Sequence, residues 1–471
     1  MTLTHEQQAI LSHVTTTTGL TLIDSVAGSG KTSLLTSIAT TLTHTNGLYL
    51  AYNKAIAVES TRKFPKTTAC MTTHSLAYQA TVKPYSLKLG DFTYRNIIEK
   101  VSYDNKLLVI DTIRKFCLSS YLSVSQFLLD NPTNNIADLL IPRYLDLMAT
   151  GKMECTHDFY LKFFHLHLAS EDIEYDPFDF IMLDEAGDLN EVTLAIFQLL
   201  PSDRKIAVGD PFQNIYTFNH TINCFEVLRG QGTLFHMSKS FRVADYIAPR
   251  IETFCKAYLD PDMTFHGVSP QSTIIKTRAY ITRTNSALIA RMIELNNQNV
   301  EYGLVRKASE IFKTPLTLIG LKYQGFISDP TFKHLQADVD DWHESTNIRA
   351  AYKSPLLYIQ AIYQDDYPLQ QAIRLILRFG GPAIMSAYTE ARKHEKSNQS
   401  YILATAHSCK GAEYDEVTIA DDLNDSISDI LAQLSAGRDR TTLTPTERES
   451  LNLYYVGCSR CAISLLGATH L

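Results

Sequence analysis

The chain has 471 residues, 45% of them hydrophobic, and its 43 Lys and Arg against 50 Asp and Glu leave a net charge of −7. That length predicts about two to four domains, and the negative balance excludes attraction of nucleic acid by the molecule as a whole, so such a partner would need a local basic and aromatic channel. No signal peptide and no apolar run near ~18 residues are visible, and the eight cysteines are scattered. These features exclude a secreted disulfide scaffold and predict a reduced, soluble, intracellular protein without a membrane partner, in cytoplasm or nucleoid, or in the nucleus of a eukaryote.

In chain order, Thr21-Leu22-Ile23-Asp24 predicts a strand, residues 25–32 a phosphate-cradling loop, and Ser33-Leu34-Leu35 the start of a helix. In such a loop glycines let backbone N–H groups close round phosphates, the lysine reaches the outer phosphates, and the next hydroxyl holds Mg²⁺. Here Gly28, Gly30, Lys31 and Thr32 take those roles, with Ala27, Ser29 and Ser33 completing the loop, so ATP and Mg²⁺ are the expected ligands. Ser25 stands where the strict pattern has glycine. A strand at 47–50, a helix at 54–63 and a strand at 70–72 continue a βαβ rhythm, which implies a parallel sheet. Residues 76–150 change to helical periodicity, as in Asn96-Ile97-Ile98 and residues 110–114, and read as an insertion.

Strands return at 178–183 and 205–208, giving a first α/β domain of 1–75 and 151–233. A second begins at Leu234, with a strand at 279–281, a helix after Asn285, and strands at 401–403 and 416–419. It comprises 234–311 and 400–471, interrupted by helical residues 312–399. The fold class is thus α/β, with two parallel-sheet domains, each carrying a mostly helical insertion, and the resemblance set out below implies that both are P-loop NTPase domains. Asp184 and Glu185 follow the strand ending at Leu183. An acidic pair there suits a Mg²⁺ ligand, Asp184, and a base that accepts a proton from the attacking water, Glu185. His157, His165 and His167 read as helix-surface residues, and Cys458 and Cys461 as packing thiols.

The ordered series of short motifs resembles the superfamily-one helicases of the UvrD/Rep/PcrA kind, and most closely the helicase core of the F-box DNA helicases. Besides the phosphate loop and Asp184-Glu185-Ala186-Gly187-Asp188, it includes residues 3–7, Tyr52-Asn53-Lys54, Thr73-His74-Ser75, residues 156–162 and residues 208–218. Ser240-Phe241-Arg242, Thr282-Arg283-Thr284-Asn285, residues 405–415 and residues 452–460 complete it, covering nearly the whole chain. The resemblance implies RecA-like domains in which Gln7 reads adenine, Phe241 stacks on the base, Glu413 contributes to nucleotide binding and Gln213 senses the terminal phosphate. It makes Arg242 and Arg460 arginine fingers. It places single-stranded DNA near Tyr52, Asn53, Thr73, His74, Thr405 and His407, with Tyr216 and Phe218 against bases, where stacking tolerates any sequence.

The family's glutamine in the acidic motif is Gly187 here, the arginine expected after Phe218 is Asn219, and the lysine expected beyond Arg460 is Ile463. The resemblance implies an ATP-dependent DNA helicase acting 3′ to 5′ on single-stranded DNA and its junctions with duplex, with possible protein partners in replication, recombination or repair. The short second insertion motivates one alternative, a translocase that strips proteins from DNA. Gly187 and Asn219 motivate another, an ATP-gated scaffold with vestigial hydrolysis. Stacking and phosphate contacts do not report a 2′-OH, so the residues themselves admit RNA. No F-box is expected, because the first motif starts at Leu3.

Overall fold

The computed structural model describes residues 3–43, 45–215, 221–324, 332–364, 366–395 and 399–471. Its contacts divide the chain into two units, Met1–Lys239 and Ser240–Leu471.

The first unit opens with α1 (His5–Thr16), β1 (Gly19–Ser25), α2 (Lys31–Thr41), β2 (Gly47–Ala51), α3 (Lys54–Lys63), β3 (Thr68–Thr72) and α4 (Thr73–Ala77). Four further helices follow, α5 (Tyr103–Leu118), α6 (Val124–Asp130), α7 (Asn135–Ala149) and α8 (His157–Ala169). The unit closes with β4 (Phe180–Leu183), β5 (Leu189–Asn190), α9 (Glu191–Leu199), β6 (Arg204–Gly209), β7 (Thr221–Ile222), α10 (Cys224–Val227) and β8 (Thr233–Met237). Six strands form a parallel sheet in the order β3-β2-β4-β6-β1-β8. Because all six point the same way, the phosphate loop after β1, the acidic turn after β4 and residues 210–213 after β6 open on one edge.

Side-chain alternation along these strands sorts the core into two layers. Leu22, Leu48, Leu50, Ile181, Leu183 and Ala207 face the insertion helices, with Val109, Ile141 and Phe164 beneath them. Ile23, Tyr49, Phe180, Met182, Ile206 and Val208 face α1 and α2, against Ile10, Val14, Leu34 and Ile38. Two expectations shift. Leu234, read as the start of the second domain, pairs with Leu22 of β1, so the strand that contains it belongs to the first sheet. Asn96-Ile97-Ile98 forms no helix; it lies in a turn and loop where Ile97 is buried and the Ile98 N–H donates to the Tyr144 hydroxyl.

The second unit runs through β9 (Lys239–Ala244), α11 (Ala248–Tyr258), β10 (His266–Val268), β11 (Arg278–Thr282), α12 (Asn285–Asn297) and β12 (Gly303–Leu304). Its insertion comprises α13 (Ala308–Ile311), α14 (Lys313–Gln324), α15 (Lys333–Glu344), α16 (Thr346–Ala351), α17 (Pro355–Ile362) and α18 (Tyr367–His394). Then come β13 (Tyr401–Thr405), β14 (Tyr414–Ile419), α19 (Asp421–Ser435), α20 (Pro445–Cys458) and β15 (Cys461–Leu466). A parallel five-stranded sheet has the order β12-β13-β11-β14-β15. The insertion is anchored to it through α12, whose Leu288, Ile289 and Met292 share a core with Leu318, Leu356 and Ile373. Among the described residues, no helix is long and apolar enough to cross a membrane.

Candidate functional site

The phosphate loop is shaped by two glycines in the left-handed region, Gly28 at φ 74° and Gly30 at φ 80°, a conformation that costs other residues free energy. Gly30 is the N-cap of α2 and provides no side-chain cap, so the first N–H groups of that helix, from Lys31, Thr32 and Ser33, point into the loop. Gln7 braces it from α1: its Nε2 donates to the Ser29 carbonyl at 3.2 Å, while its Oε1 accepts from the Thr4 N–H in a capping box. The buried Ser29 Oγ has no hydrogen-bond partner among the described residues, and Ala27 is fully buried within the loop. Uncapped helix donors, an orphaned hydroxyl and a lysine fit a polyphosphate.

Lys31 Nζ lies 3.7 Å from Glu185 Oε1, joining two residues that are far apart in sequence. Glu185 itself sits at φ 52°, a left-handed backbone that costs a non-glycine residue about 1–3 kcal/mol and clusters at functional sites. The neighbouring Asp184 is buried, accepting from the Tyr49 hydroxyl at 2.6 Å and from the Glu185 N–H at 2.9 Å. Burial, and then the adjacent Glu185 charge, push the Asp184 carboxyl up to about 6, against the opposing pull of Lys31 and the Tyr49 hydrogen bond. Burial raises the Tyr49 hydroxyl too, keeping it a donor. Carboxylate and hydroxyl oxygens at Asp184 and Thr32 are the donor types a hard divalent cation takes. Tyr49 was missed by the sequence reading, since only the placement of β2 beside β4 brings it to Asp184.

Beyond β6, Gln213 is buried and donates through Nε2 to Asp210 Oδ2 at 2.7 Å. A cavity of about 420 Å³ on the same unit is lined by Tyr52, Thr73, His74 and Asp184, and also by Arg114 of α5 and Asn190. Tyr52 is exposed, Thr73 is buried at the head of α4, and burial lowers the pKa of His74. Asn53 uses its side-chain oxygen to cap α3 at Ile56 N, 2.9 Å away. Arg114, 3.7 Å from Asp158, is a further basic side chain that the sequence reading did not single out. Tyr216 and Phe218 lie outside the described residues. Of the three histidines read as surface residues, His165 is instead buried, packed beside Lys162 at 3.4 Å; Lys162 is spent on the carbonyls of Ser119 and Tyr121.

In the second unit Phe241 and Arg242 sit on β9. Arg242 Nε pairs with Glu413 Oε2 at 3.0 Å, and its Nη1 donates to the Ser459 carbonyl at 3.4 Å. Arg460, 1% exposed, donates from Nη2 to the Ser459 hydroxyl at 3.0 Å and from Nε to the Val456 carbonyl at 2.9 Å. The two predicted fingers therefore share one residue, Ser459. Thr405 ends β13 and closes a turn with Ser408, and His407 Nε2 lies 3.5 Å from Glu449 Oε1, a buried carboxylate the sequence reading did not anticipate.

A family model described as AAA domain matches residues 7–219. The chain is 24% identical over 520 aligned positions to F-box DNA helicase 1 of Gallus gallus, covering 98% of this chain and 49% of that protein. It is 22% identical over 523 positions to F-box DNA helicase protein 1 of Schizosaccharomyces pombe (strain 972 / ATCC 24843), covering 98% of this chain and 57% of that one. The chain thus spans about half the length of the curated relatives it matches, and its starting point carries no information on an F-box. Residues 7–219, which match the AAA-domain model, include the phosphate loop and five of the six strands of the first parallel sheet, and over nearly its whole length the chain is similar to the F-box DNA helicases.

Proposed function

We propose that this chain is an ATP-dependent DNA helicase that moves 3′ to 5′ along single-stranded DNA in replication, recombination or repair. The observation that carries the reading is one cavity lined both by Asp184, next to the Lys31–Glu185 pair, and by Tyr52, Thr73 and His74. Residues suited to hydrolysis thereby adjoin residues suited to a nucleic-acid strand. The relatives, named as DNA helicases, support the same reading.

In this reading Gln7 and Phe241 hold the base, Glu413 contributes to nucleotide binding, and Lys31 with the N–H groups of the phosphate loop holds the outer phosphates of ATP. Thr32 and Asp184 would hold Mg²⁺, which when bound supplies charge neutralisation on those phosphates. Glu185 accepts a proton from water as its oxygen attacks the terminal phosphorus; the bond to the bridging oxygen breaks, and ADP and phosphate leave. Gln213 senses that terminal phosphate, and Arg242 and Arg460 stabilise its developing charge. Tyr52, Asn53, Thr73, His74, Thr405 and His407 bind the strand, joined by Arg114.

ATP turnover with and without single-stranded DNA or RNA tests the reading. Wild type should be stimulated by DNA and Lys31→Ala should be silent; wild-type turnover indifferent to any strand would remove the motor. Glu185→Gln should retain ATP and strand while turning over about 10²–10⁴-fold more slowly, as expected of a lost general base. Unwinding of duplexes with only a 5′ tail would reverse the polarity, and stimulated ATPase with no unwinding of any tailed duplex would favour a protein-stripping translocase.

A further inference from the structure

The sequence departs from the expected patterns at Ser25 and at Gly187, and the structure brings both departures to Gly209. The buried Ser25 Oγ donates to the Gly209 carbonyl at 2.8 Å. A Cβ placed on Gly209 would lie 2.7 Å from the Gly187 nitrogen and 2.8 Å from the Ala186 nitrogen. A Cβ on Gly187 would lie 2.3 Å from the Asp210 carbonyl oxygen. Those obstacles are backbone atoms, which no rotamer change can move aside, so the acidic turn and the end of β6 touch only because neither glycine has a side chain. The contact is locked by the Ala186 N–H donating to Val208 O at 2.9 Å. Immediately beyond it, Asp210 accepts from Phe212 N at 3.0 Å and from Gln213 Nε2 at 2.7 Å.

We propose that Ser25, Gly187 and Gly209 form a positioning junction that links the phosphate loop, the Asp184–Glu185 turn and Gln213 by backbone contact, with no side chain at position 187 taking part. Ser25 ties the strand before the phosphate loop to Gly209; Gly209 lies against Gly187; Gly187 lies against the carbonyl of the residue that holds Gln213. A shift of the acidic turn is passed to Asp210 by excluded volume, because packed backbone has no slack to absorb it. Two departures that each look like a weakened motif are then one matched pair. The junction's effect on turnover rests on the helicase reading; the contact itself does not.

The test compares Ser25→Ala, Gly187→Ala, Gly187→Gln and the double variant Ser25→Ala/Gly187→Ala in the full chain. The readout is the ratio of strand-stimulated to basal ATP turnover, with thermal melting followed in parallel. Each single variant should lower the ratio about fivefold or more, and the double should fall no more than about twofold below the worse single, because one junction is broken in all of them. A Gly187→Gln protein that melts near wild type and keeps the wild-type ratio overturns the proposal, as do single effects that simply multiply. For variants that fail to fold, hydrogen exchange on wild type supplies the second measurement: a non-hydrolysable ATP analogue should protect the amides of Ala186 and Gln213 together. Protection of one without the other also overturns it. Wild type that shows no strand stimulation sinks the helicase reading alone, since the exchange measurement needs no strand.

Discussion

The two units of this chain handle charge in opposite ways. In the first, the buried Asp184 and the adjacent Glu185 face the amino group of Lys31, and burial with carboxylate crowding leaves Asp184 hard to ionise. In the second, the guanidiniums of Arg242 and Arg460 gather on Ser459, with the largely exposed Glu413 set against Arg242. The first cluster sets two carboxylates against one ammonium, and the second sets two guanidiniums against one carboxylate, so the local balance of charge is opposite in sign. The difference teaches that the first unit's excess carboxylate and the second unit's excess guanidinium are separate targets, which the variants below probe one at a time.

Removing the guanidinium should break this comparison most severely. Arg460→Ala is expected to lower strand-stimulated turnover by about 10³-fold or more, as loss of an arginine finger does. Arg460→Lys should recover little, because an ammonium lacks the planar fork. Melting curves separate this from lost packing, and a folded variant within tenfold of wild-type turnover would deny Arg460 any part in the reaction.

Asp184→Asn probes the other half. The Asp184 carboxyl titrates near 6 in the fold against an ordinary 3.8, so the folded protein binds that proton more tightly than the unfolded chain does. Stability from this group is therefore greatest at low pH and declines as pH rises from about 4 to about 6. Asparagine should remove the decline and raise stability at pH 8 by about 1–3 kcal/mol while abolishing Mg²⁺-dependent turnover. Denaturant melts at both pH values check it; no gain at pH 8 would mean that the buried charge is already neutralised. For the same reason, affinity for Mg²⁺ and ATP should fall as pH is lowered through about 6, because a protonated Asp184 cannot hold the cation.

Arg114 carries the smallest expectation. Arg114→Ala should weaken single-stranded DNA binding about three- to tenfold and reduce the slope of log affinity against log salt by about one. An unchanged slope would confine Arg114 to its pairing with Asp158.

Much of this was legible in the residues. The phosphate loop is a local device whose glycines, lysine and threonine need only a strand before and a helix after, and both are present. The acidic turn after β4 was readable for the same reason. Where a reading depended on neighbours across the fold it failed or stayed mute. Leu234 carried no mark assigning its strand to the first sheet, His165 looked like any helix-surface histidine, and the isoleucines at 97 and 98 suggested a helix where a loop buries one of them and exposes the other.

The sequence by itself determined which chemical groups the molecule owns and the short-range backbone that presents them, because strand, turn and helix starts answer to adjacent residues. Only the tertiary structure decided that Tyr49 steadies Asp184, that Ser25 and Gly187 meet at Gly209, and that Arg242 shares Ser459 with Arg460. Those pairings follow from strand order and long-range packing, which no local window of residues encodes.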